Sequence, residues 1–511
     1  MPPYSDHAMN RRSFLETTAA IAATGTLGNV IAPSMRGMPA TQLMPPSLVA
    51  AGYSVAEHRR RLENIARCRA AIRSCLRQHV VSDYLPAQCC YNLGEYPATK
   101  PWRFEAYDEQ ELDRLRDHGI QIIQWFDDWA DPLRLFGGDK YTPAGAANVR
   151  RFIERAHQRG MKVLPYASSC FLQRTDPDFR QEWSREGDNL VLGYWNMARC
   201  SPASPGWRAY LLPRLAHILD DYGADGIYID GGYVANQYPK LPIPARDEIA
   251  AFEETAELDG AFGDLLALIY GEVKRRGGIM KLHVNGADAP RVGGLKVYDY
   301  LWVGEGVGNA DSLRKTVKNY PPYVVPCIDQ AFAQVASDNE HFLQAIPYLQ
   351  FPILHAGKPV TGQRGAIPGV RYAAEEGDSW MKRCREIRQH YQAHPEGPHT
   401  YSIWDAFPGR PAARQLHARW LARYMPLVEE GTWAWLEIGD SSLFGERPPR
   451  DVVASVFANR ELHLVLANYG QQAVQITTAE DYVSADAPSV PPAKNYRIAG
   501  RSLAILRRSG A

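Results

Sequence analysis

From residue 87 to residue 355 the chain repeats one beat, a short apolar run, a loop, a helix start and a helix, and this beat limits its possible folds more than any other feature. The apolar runs predict eight strands, at 87–92, 120–126, 162–167, 226–229, 279–284, 300–303, 323–328 and 351–355. Each is too short for a helix and is bounded by turn-forming residues. Helix starts support the beat: Thr142-Pro143 and Ser204-Pro205 each place a capping hydroxyl before a proline at the first helical position. After Pro205, the residues Leu211, Leu215, Ile218 and Leu219 fall on one helical face. Eight strand–helix units predict an α/β fold, a closed (β/α)8 TIM barrel rather than an open doubly wound sheet. No GxGxxG or GxxxxGK[ST] pattern opens any of the helices, which removes the dinucleotide and phosphate-loop alternatives.

Past about residue 426 the pattern changes to strands and turns without a long helix, at 452–457, 462–468, 474–477, 496–498 and 502–506. This predicts a small all-β sandwich domain, residues 427–511, that supports the barrel. Upstream, Leu62, Ile65, Ile72 and Leu76 recur at helical spacing, so 54–79 reads as an amphipathic helix opening a barrel domain of 54–426, with a linker at 33–53. A chain of 511 residues, 45% hydrophobic and 22% charged, has room for one large and one smaller domain. Its 57 basic and 57 acidic residues cancel, so no basic surface is expected and neither nucleic acid nor an anionic membrane is an expected partner. The 12 Trp, 27 Tyr and 15 Phe suit a carbohydrate site, because aromatic faces pack on C–H surfaces while polar edges bond hydroxyls.

At the N-terminus, Asn10-Arg11-Arg12-Ser13-Phe14-Leu15-Glu16 precedes a mildly apolar stretch, 17–28, that carries no acid. This resembles a twin-arginine export signal, here residues 1–32 with Met9 as a second candidate start. The resemblance implies a periplasmic or secreted protein, handled by the twin-arginine translocase during export. The run falls short of the roughly 18 apolar residues of a permanent span, so no membrane attachment is expected after export. Val30-Ile31-Ala32 is followed by Pro33, which would obstruct cleavage there. No organic cofactor is expected, since no binding motif for one occurs. The eight cysteines form no CxxC pair, and Cys170 with Cys200 is a candidate bridge across a long loop.

In such barrels the working residues stand at the C-terminal ends of the strands. After the second strand come Asp127, Asp128 and Trp129, and Tyr166 lies near the end of the third. Tyr228 and Asp230 close the fourth, His283 and Asn285 the fifth, Trp302 and Glu305 the sixth, Asp329 the seventh and His355 the eighth. Carboxylates, aromatics and imidazole or amide donors thus converge on one end. The bland alternatives are a turn-capping role for Asp230, satisfied core histidines at His283 and His355, and packing for Trp125, Trp129, Trp183, Trp195 and Trp302. Two of those tryptophans lie in the long segment 168–204, which has the length of a lid.

The segment Tyr222-Gly223-Ala224-Asp225-Gly226-Ile227-Tyr228-Ile229-Asp230 resembles the fourth-strand nucleophile segment of retaining α-glycosidase barrels, and Phe126-Asp127-Asp128-Trp129 is similar to the second-strand Asp-Asp pair of α-galactosidases. With the trailing β-domain, the resemblance to the α-galactosidase and α-glucosidase superfamily of glycoside hydrolases covers most of the chain after residue 80. It implies an O-glycosidase, α-specific by that resemblance, with Asp230 as nucleophile and Glu305 as acid/base. Asp127, Asp128, Trp129, Tyr166, Tyr228, His283, Asn285, Trp302, Asp329 and His355 would then bind a carbohydrate substrate. The sequence departs from the α-galactosidase pattern at three places: an acid of the Glu type at 305, Tyr228 where a lysine is usual, and no cysteine between the Asp pair and Trp129.

Two carboxyls are required because an oxocarbenium-like transition state needs an ionised acid near the anomeric carbon and a proton donor at the leaving oxygen. A separation of about 5–5.5 Å implies retention, and one of roughly 6.5–9.5 Å implies inversion. Retention is the expected course. Three rivals stand beside it: a metal-dependent hydrolase on the same fold, although the first strand lacks a His-x-His and no HExxH occurs, a non-catalytic carbohydrate-binding barrel, and a transglycosidase. Metal ligands are not expected.

Overall fold

The structure is a computed structural model and describes residues 44–94, 102–129, 134, 136–138, 143–192, 195–230, 258–284, 297–303, 309–320, 323–328, 335, 337–362, 379–397, 399 and 406–509. Its helices are α1 (Pro46–Ala50), α2 (Val55–Ala71), α3 (Ala106–His118), α4 (Pro143–His157), α5 (Pro205–Asp220), α6 (Leu258–Arg275), α7 (Ala310–Val317), α8 (Glu340–Ala345), α9 (Ser379–Ala393) and α10 (Pro411–Tyr424). The strands are β1 (Cys75–Val80), β2 (Gln88–Asn92), β3 (Ile122–Trp125), β4 (Lys162–Leu164), β5 (Tyr166–Ser168), β6 (Phe171–Gln173), β7 (Ser184–Leu192), β8 (Trp195–Cys200), β9 (Gly226–Asp230), β10 (Ile279–Val284), β11 (Tyr300–Val303), β12 (Val324–Pro326) and β13 (Leu354–Gly357). They continue with β14 (Trp433–Ile438), β15 (Val452–Ala458), β16 (Leu462–Asn468), β17 (Val474–Ser484), β18 (Ala493–Ile498) and β19 (Ser502–Arg508). The chain divides into two compact units, Met1–His58 and Arg59–Ala511. In the first, Met44, Leu48 and Tyr53 form a small apolar cluster around α1, within the segment expected as a linker.

Each of the eight expected strands has a counterpart, and they run parallel. One sheet has the order β13-β2-β3-β4 and the next β12-β11-β10-β9-β5. β4 and β5 are halves of one expected strand, interrupted at Pro165. Proline has no N–H for a ladder, so the chain breaks register there. Across the break β4 pairs with β3 and β5 with β9, while Tyr228 N–H donates to Pro165 C=O at 2.9 Å. The strands therefore follow one another in chain order, with the eighth beside the first. The outer edge of β13 exchanges backbone bonds with Phe407, His355 N–H to Phe407 C=O at 2.8 Å and Phe407 N–H to Ile353 C=O at 2.7 Å. Among the described residues β12 and β13 share no ladder.

The C-terminal part differs from the expected sandwich. It is one antiparallel sheet of order β1-β14-β15-β16-β19-β17-β18, and its first strand comes from far upstream, with Cys75 opposite Ile438 and Val80 opposite Trp433. The expected helix 54–79 accordingly ends at Ala71, and Leu76 is an exposed strand residue. Both faces of this sheet are apolar, since alternate residues point to opposite sides. Leu436, Phe457, Val465, Ala467 and Ile505 join the core of the parallel sheets, whereas Trp435, Val456, Leu464, Leu466 and Leu506 pack with Ile65 and Cys68 of α2. At roughly 1.5–3 kcal/mol for each fully buried large apolar side chain, burial on both faces makes the sheet part of the fold. Arg501 fastens it to α7 and α8, reaching Asp311 at 3.1 Å and Glu340 at 2.5 Å. The segment expected as a lid holds a three-stranded antiparallel sheet, β6-β8-β7. Among the described residues no helix is long and apolar enough to cross a membrane.

Candidate active site

Neighbouring residues of parallel strands in register point to the same side of a sheet, so the ladders sort the side chains into rungs. One rung joins Tyr166, Tyr228, Lys281 and Tyr300. The next, at the C-terminal ends, joins Ser168, Asp230, His283, Trp302 and Val325. Close approach of β9 and β10 sets this register. A Cβ on Gly226 would lie 1.9 Å from the carbonyl oxygen of Ile279, so only glycine fits at the strand's first residue. Asp225 anchors the same corner, its Oδ2 accepting from Val163 N–H at 2.8 Å and its carbonyl accepting from Ile279 N–H at 2.9 Å.

Asp230 is the open member of the upper rung. Its side chain is 22% exposed, and that of His283 is 9% exposed. The Tyr166 hydroxyl donates to Asp230 Oδ2 at 2.7 Å, and His283 Nδ1 stands 3.7 Å from Oδ1. The Asp230 carbonyl accepts from Ser169 N–H and from Ser169 Oγ, each at 3.0 Å, so the backbone beneath the carboxylate is held as well. Behind it is an aromatic wall: Tyr228 stacks on Trp302 at 5.3 Å between ring centroids, His283 lies 5.5 Å from Trp302, and half-buried Phe126 lies 5.6 Å from it.

Beneath this wall Lys281 is fully buried, its Nζ donating to Gln88 Oε1 at 2.9 Å and lying 5.1 Å from the Trp302 ring centre. Burial pulls the Lys281 amine down to about 8. Lys281, Gln88, Phe126, Ser168 and Ser169 were not among the expected site residues. The parity of Lys281 with His283 was the available signal, obscured because a lysine inside an apolar run reads as the solvent face of a strand.

The other expected residues are placed as follows. Asp127 is fully buried in a one-turn 3-10 helix, Asp127–Trp129, after β3. The backbone of Asp128 shares that turn, and its side chain lies outside the described residues. Trp129 is fully buried too, with its Nε1 donating to Tyr166 C=O at 2.9 Å. This puts the indole inside the core between the second and third strands, where it props the residue that binds Asp230. His355 is likewise fully buried, and its Nε2 donates to Asn92 Oδ1 at 2.7 Å. Burial holds its imidazole down to about 3, hence neutral. Trp183 packs on Trp207 and Tyr210. Glu305, Asn285 and Asp329 lie outside the described residues, as does the side chain of Trp195. Among the described residues no three His, Cys, Asp or Glu side chains are grouped closely enough to hold a metal ion.

No protein-family model matches the sequence, and no curated protein matches it. Solved structures do. A GH36 alpha-galactosidase, AgaA from Geobacillus stearothermophilus, is similar over 83% of this chain and 55% of its own, at 11% identity, with a TM-score of 0.51 in a complex with raffinose and 0.50 in a second structure. A noncanonic maltogenic alpha-amylase, AmyB from Thermotoga neapolitana, is similar over 83% of this chain and 97% of its own, at 12% identity and a TM-score of 0.46. The chain shares its fold with the alpha-galactosidase and spans about half of that protein's length.

Proposed function

We propose that this chain is an exported glycosidase that cleaves a glycosidic bond of an oligo- or polysaccharide by retaining double displacement, with Asp230 as nucleophile and Glu305 as acid/base. The observation that carries the reading is the setting of Asp230, a partly open carboxylate at the end of the fourth strand, steadied by a tyrosine hydroxyl and backed by aromatic rings. The fold shared with an alpha-galactosidase solved with raffinose supports a carbohydrate substrate. In this reading β12 and β13 close a (β/α)8 barrel, whose C-terminal end is the usual place for such a constellation.

Asp230 attacks the anomeric carbon while the glycosidic bond breaks and Glu305 gives its proton to the leaving oxygen. Water, deprotonated by Glu305, then attacks the same carbon and frees Asp230, so one water is consumed per bond. The Tyr166 hydrogen bond holds the Asp230 carboxylate in position for this attack. Phe126, with its half-buried ring, offers the apolar face for the sugar. Trp129 and His355 act from behind, as supports of Tyr166 and Asn92.

The test is to trap the first step with fluorinated aryl glycosides and map the adduct. The reading expects one glycosyl unit on the tryptic peptide 215–240, at Asp230. An adduct on another acid reassigns the nucleophile, and turnover that needs a metal, lost with chelator and restored by metal, sinks the mechanism in favour of a metal-dependent hydrolase. Export by the twin-arginine route predicts retention in the cytoplasm when Arg11 and Arg12 are both changed to Lys, and unchanged export of that variant would remove this part.

A further inference from the structure

We propose that Cys170 and Cys200 form an oxidisable pair whose disulfide ties the sheet β6-β8-β7 to the turn that holds Asp230. The register of β6 against β8 runs Gln173 opposite Met197, Leu172 opposite Ala198 and Phe171 opposite Arg199, and one further step puts Cys170 opposite Cys200. That step is real in the backbone, because Cys200 N–H donates to Cys170 C=O at 2.7 Å. Directly opposed antiparallel residues joined by a hydrogen bond have Cα atoms about 5.5 Å apart and side chains on the same face, inside the roughly 4.4–6.8 Å range of disulfides. Both residues are fully buried, and both are thiols here. Each thiol also lies within electrostatic reach of the other, and Cys170 within reach of Asp230.

The position of the pair gives the bond its consequence. Ser168 and Ser169 immediately precede Cys170. Ser168 Oγ accepts from Cys170 N–H at 3.2 Å and from Phe171 N–H at 2.7 Å, and Ser169 binds the Asp230 carbonyl. Trp207 Nε1 donates to Ser169 C=O at 2.8 Å, fixing the turn from the α5 side. A bond from Cys170 to the middle strand of the small sheet would join this turn to a segment otherwise held there by backbone and packing.

The oxidant is a disulfide, either a small molecule or a protein. The thiolate of one cysteine attacks it, forming a mixed disulfide and releasing one thiolate. The second cysteine then displaces the other half, so that two protein thiols and one disulfide become one protein disulfide and two free thiols. Burial raises the Cys170 thiol well above its ordinary range, which disfavours the reactive thiolate in the folded protein. Exchange therefore belongs to the unfolded or opening chain, and a protein folded in reduced form oxidises slowly.

To test the pair, the full chain is unfolded with reductant, refolded in a mixture of reduced and oxidised glutathione, blocked with an alkylating reagent and digested without reduction. The expected result is a cross-linked pair of tryptic peptides, 163–174 with 200–208, together with a thermal midpoint raised by roughly 3–8 °C over the reduced protein, from closing a loop of about 30 residues. Both signals should disappear with dithiothreitol and be absent in a Cys170→Ser/Cys200→Ser double variant. Natively refolded wild type in which both peptides stay alkylated, or in which either cysteine is linked elsewhere, overturns the proposal. Because the wild-type peptide map decides by itself, failure of the variant to fold leaves the test intact. The result also does not depend on which bond the site cleaves.

Discussion

At the scale of single residues, the site depends on one hydrogen bond that sequence alone could not supply. Tyr166 is an ordinary strand tyrosine until the ladder sets it beside Tyr228 and sends its hydroxyl to Asp230. A hydrogen bond to a charged group contributes about 1.5–3 kcal/mol, so Tyr166→Phe should lower kcat/KM by roughly 10- to 100-fold. Steady-state kinetics of the variant check this. A kcat/KM within error of wild type in the folded variant would mean that the bond from Tyr166 to Asp230 is not used in the reaction. Asp230 itself was legible, as an acid closing an apolar strand and leading into two glycines. Trp129 and His355 were legible as strand-end residues, but their burial was not, because an aromatic or imidazole at that position can point to the opening or into the core.

At the scale of elements, the parallel strands were legible because continuous apolar runs are what strands covered on both faces require. β1 was not. Its residues, Cys75 to Val80, mix charge and polarity as an edge strand does, and they follow α2 so closely that Leu76 continues the helical spacing of Leu62, Ile65 and Ile72. Its partner, β14, lies some 360 residues away, beyond the reach of any local pattern. Such distant pairings need anchors, and Arg501 is the clearest, with Glu340 almost fully buried beneath it. Breaking a buried pair by removing one partner costs about 3–5 kcal/mol, so Arg501→Met should lower the unfolding free energy by about 3 kcal/mol, read as a shift in urea midpoint at constant slope. A midpoint within error of wild type would mean that apolar burial alone holds the sheet to α7 and α8.

At the scale of the whole molecule, the parallel sheets and the C-terminal sheet share one apolar core, to which strands as far apart in the chain as β2 and β19 contribute side chains. Its buried histidines give it a pH signature. His341 is held down to about 4, and His355 and His417 to about 3, in each case chiefly by burial. His417 is locked neutral between Pro352 C=O, to which its Nε2 donates at 3.1 Å, and His118, whose Nε2 lies 2.8 Å from its Nδ1. Below the ordinary histidine value near 6.5, the unfolded chain takes up protons that these rings refuse. Stability is therefore full above about pH 6.5 and declines as pH falls toward the folded values near 3–4, by about 2 kcal/mol per ring at pH 5. Urea titrations at pH 7.5 and pH 5 should show this loss, and His417→Gln, if it folds, should show less of it. Equal stability at both pH values would place these rings in contact with water.

The functional reading turns on Asp230, and turnover of a panel of aryl α- and β-glycosides by wild type and Asp230→Asn, side by side with chelator present, measures its role. We expect the wild type to release the aryl group from at least one sugar without metal, and Asp230→Asn to lose roughly 10³-fold or more of that rate while keeping the wild-type thermal midpoint. Full activity in a folded Asp230→Asn protein would contradict the assignment.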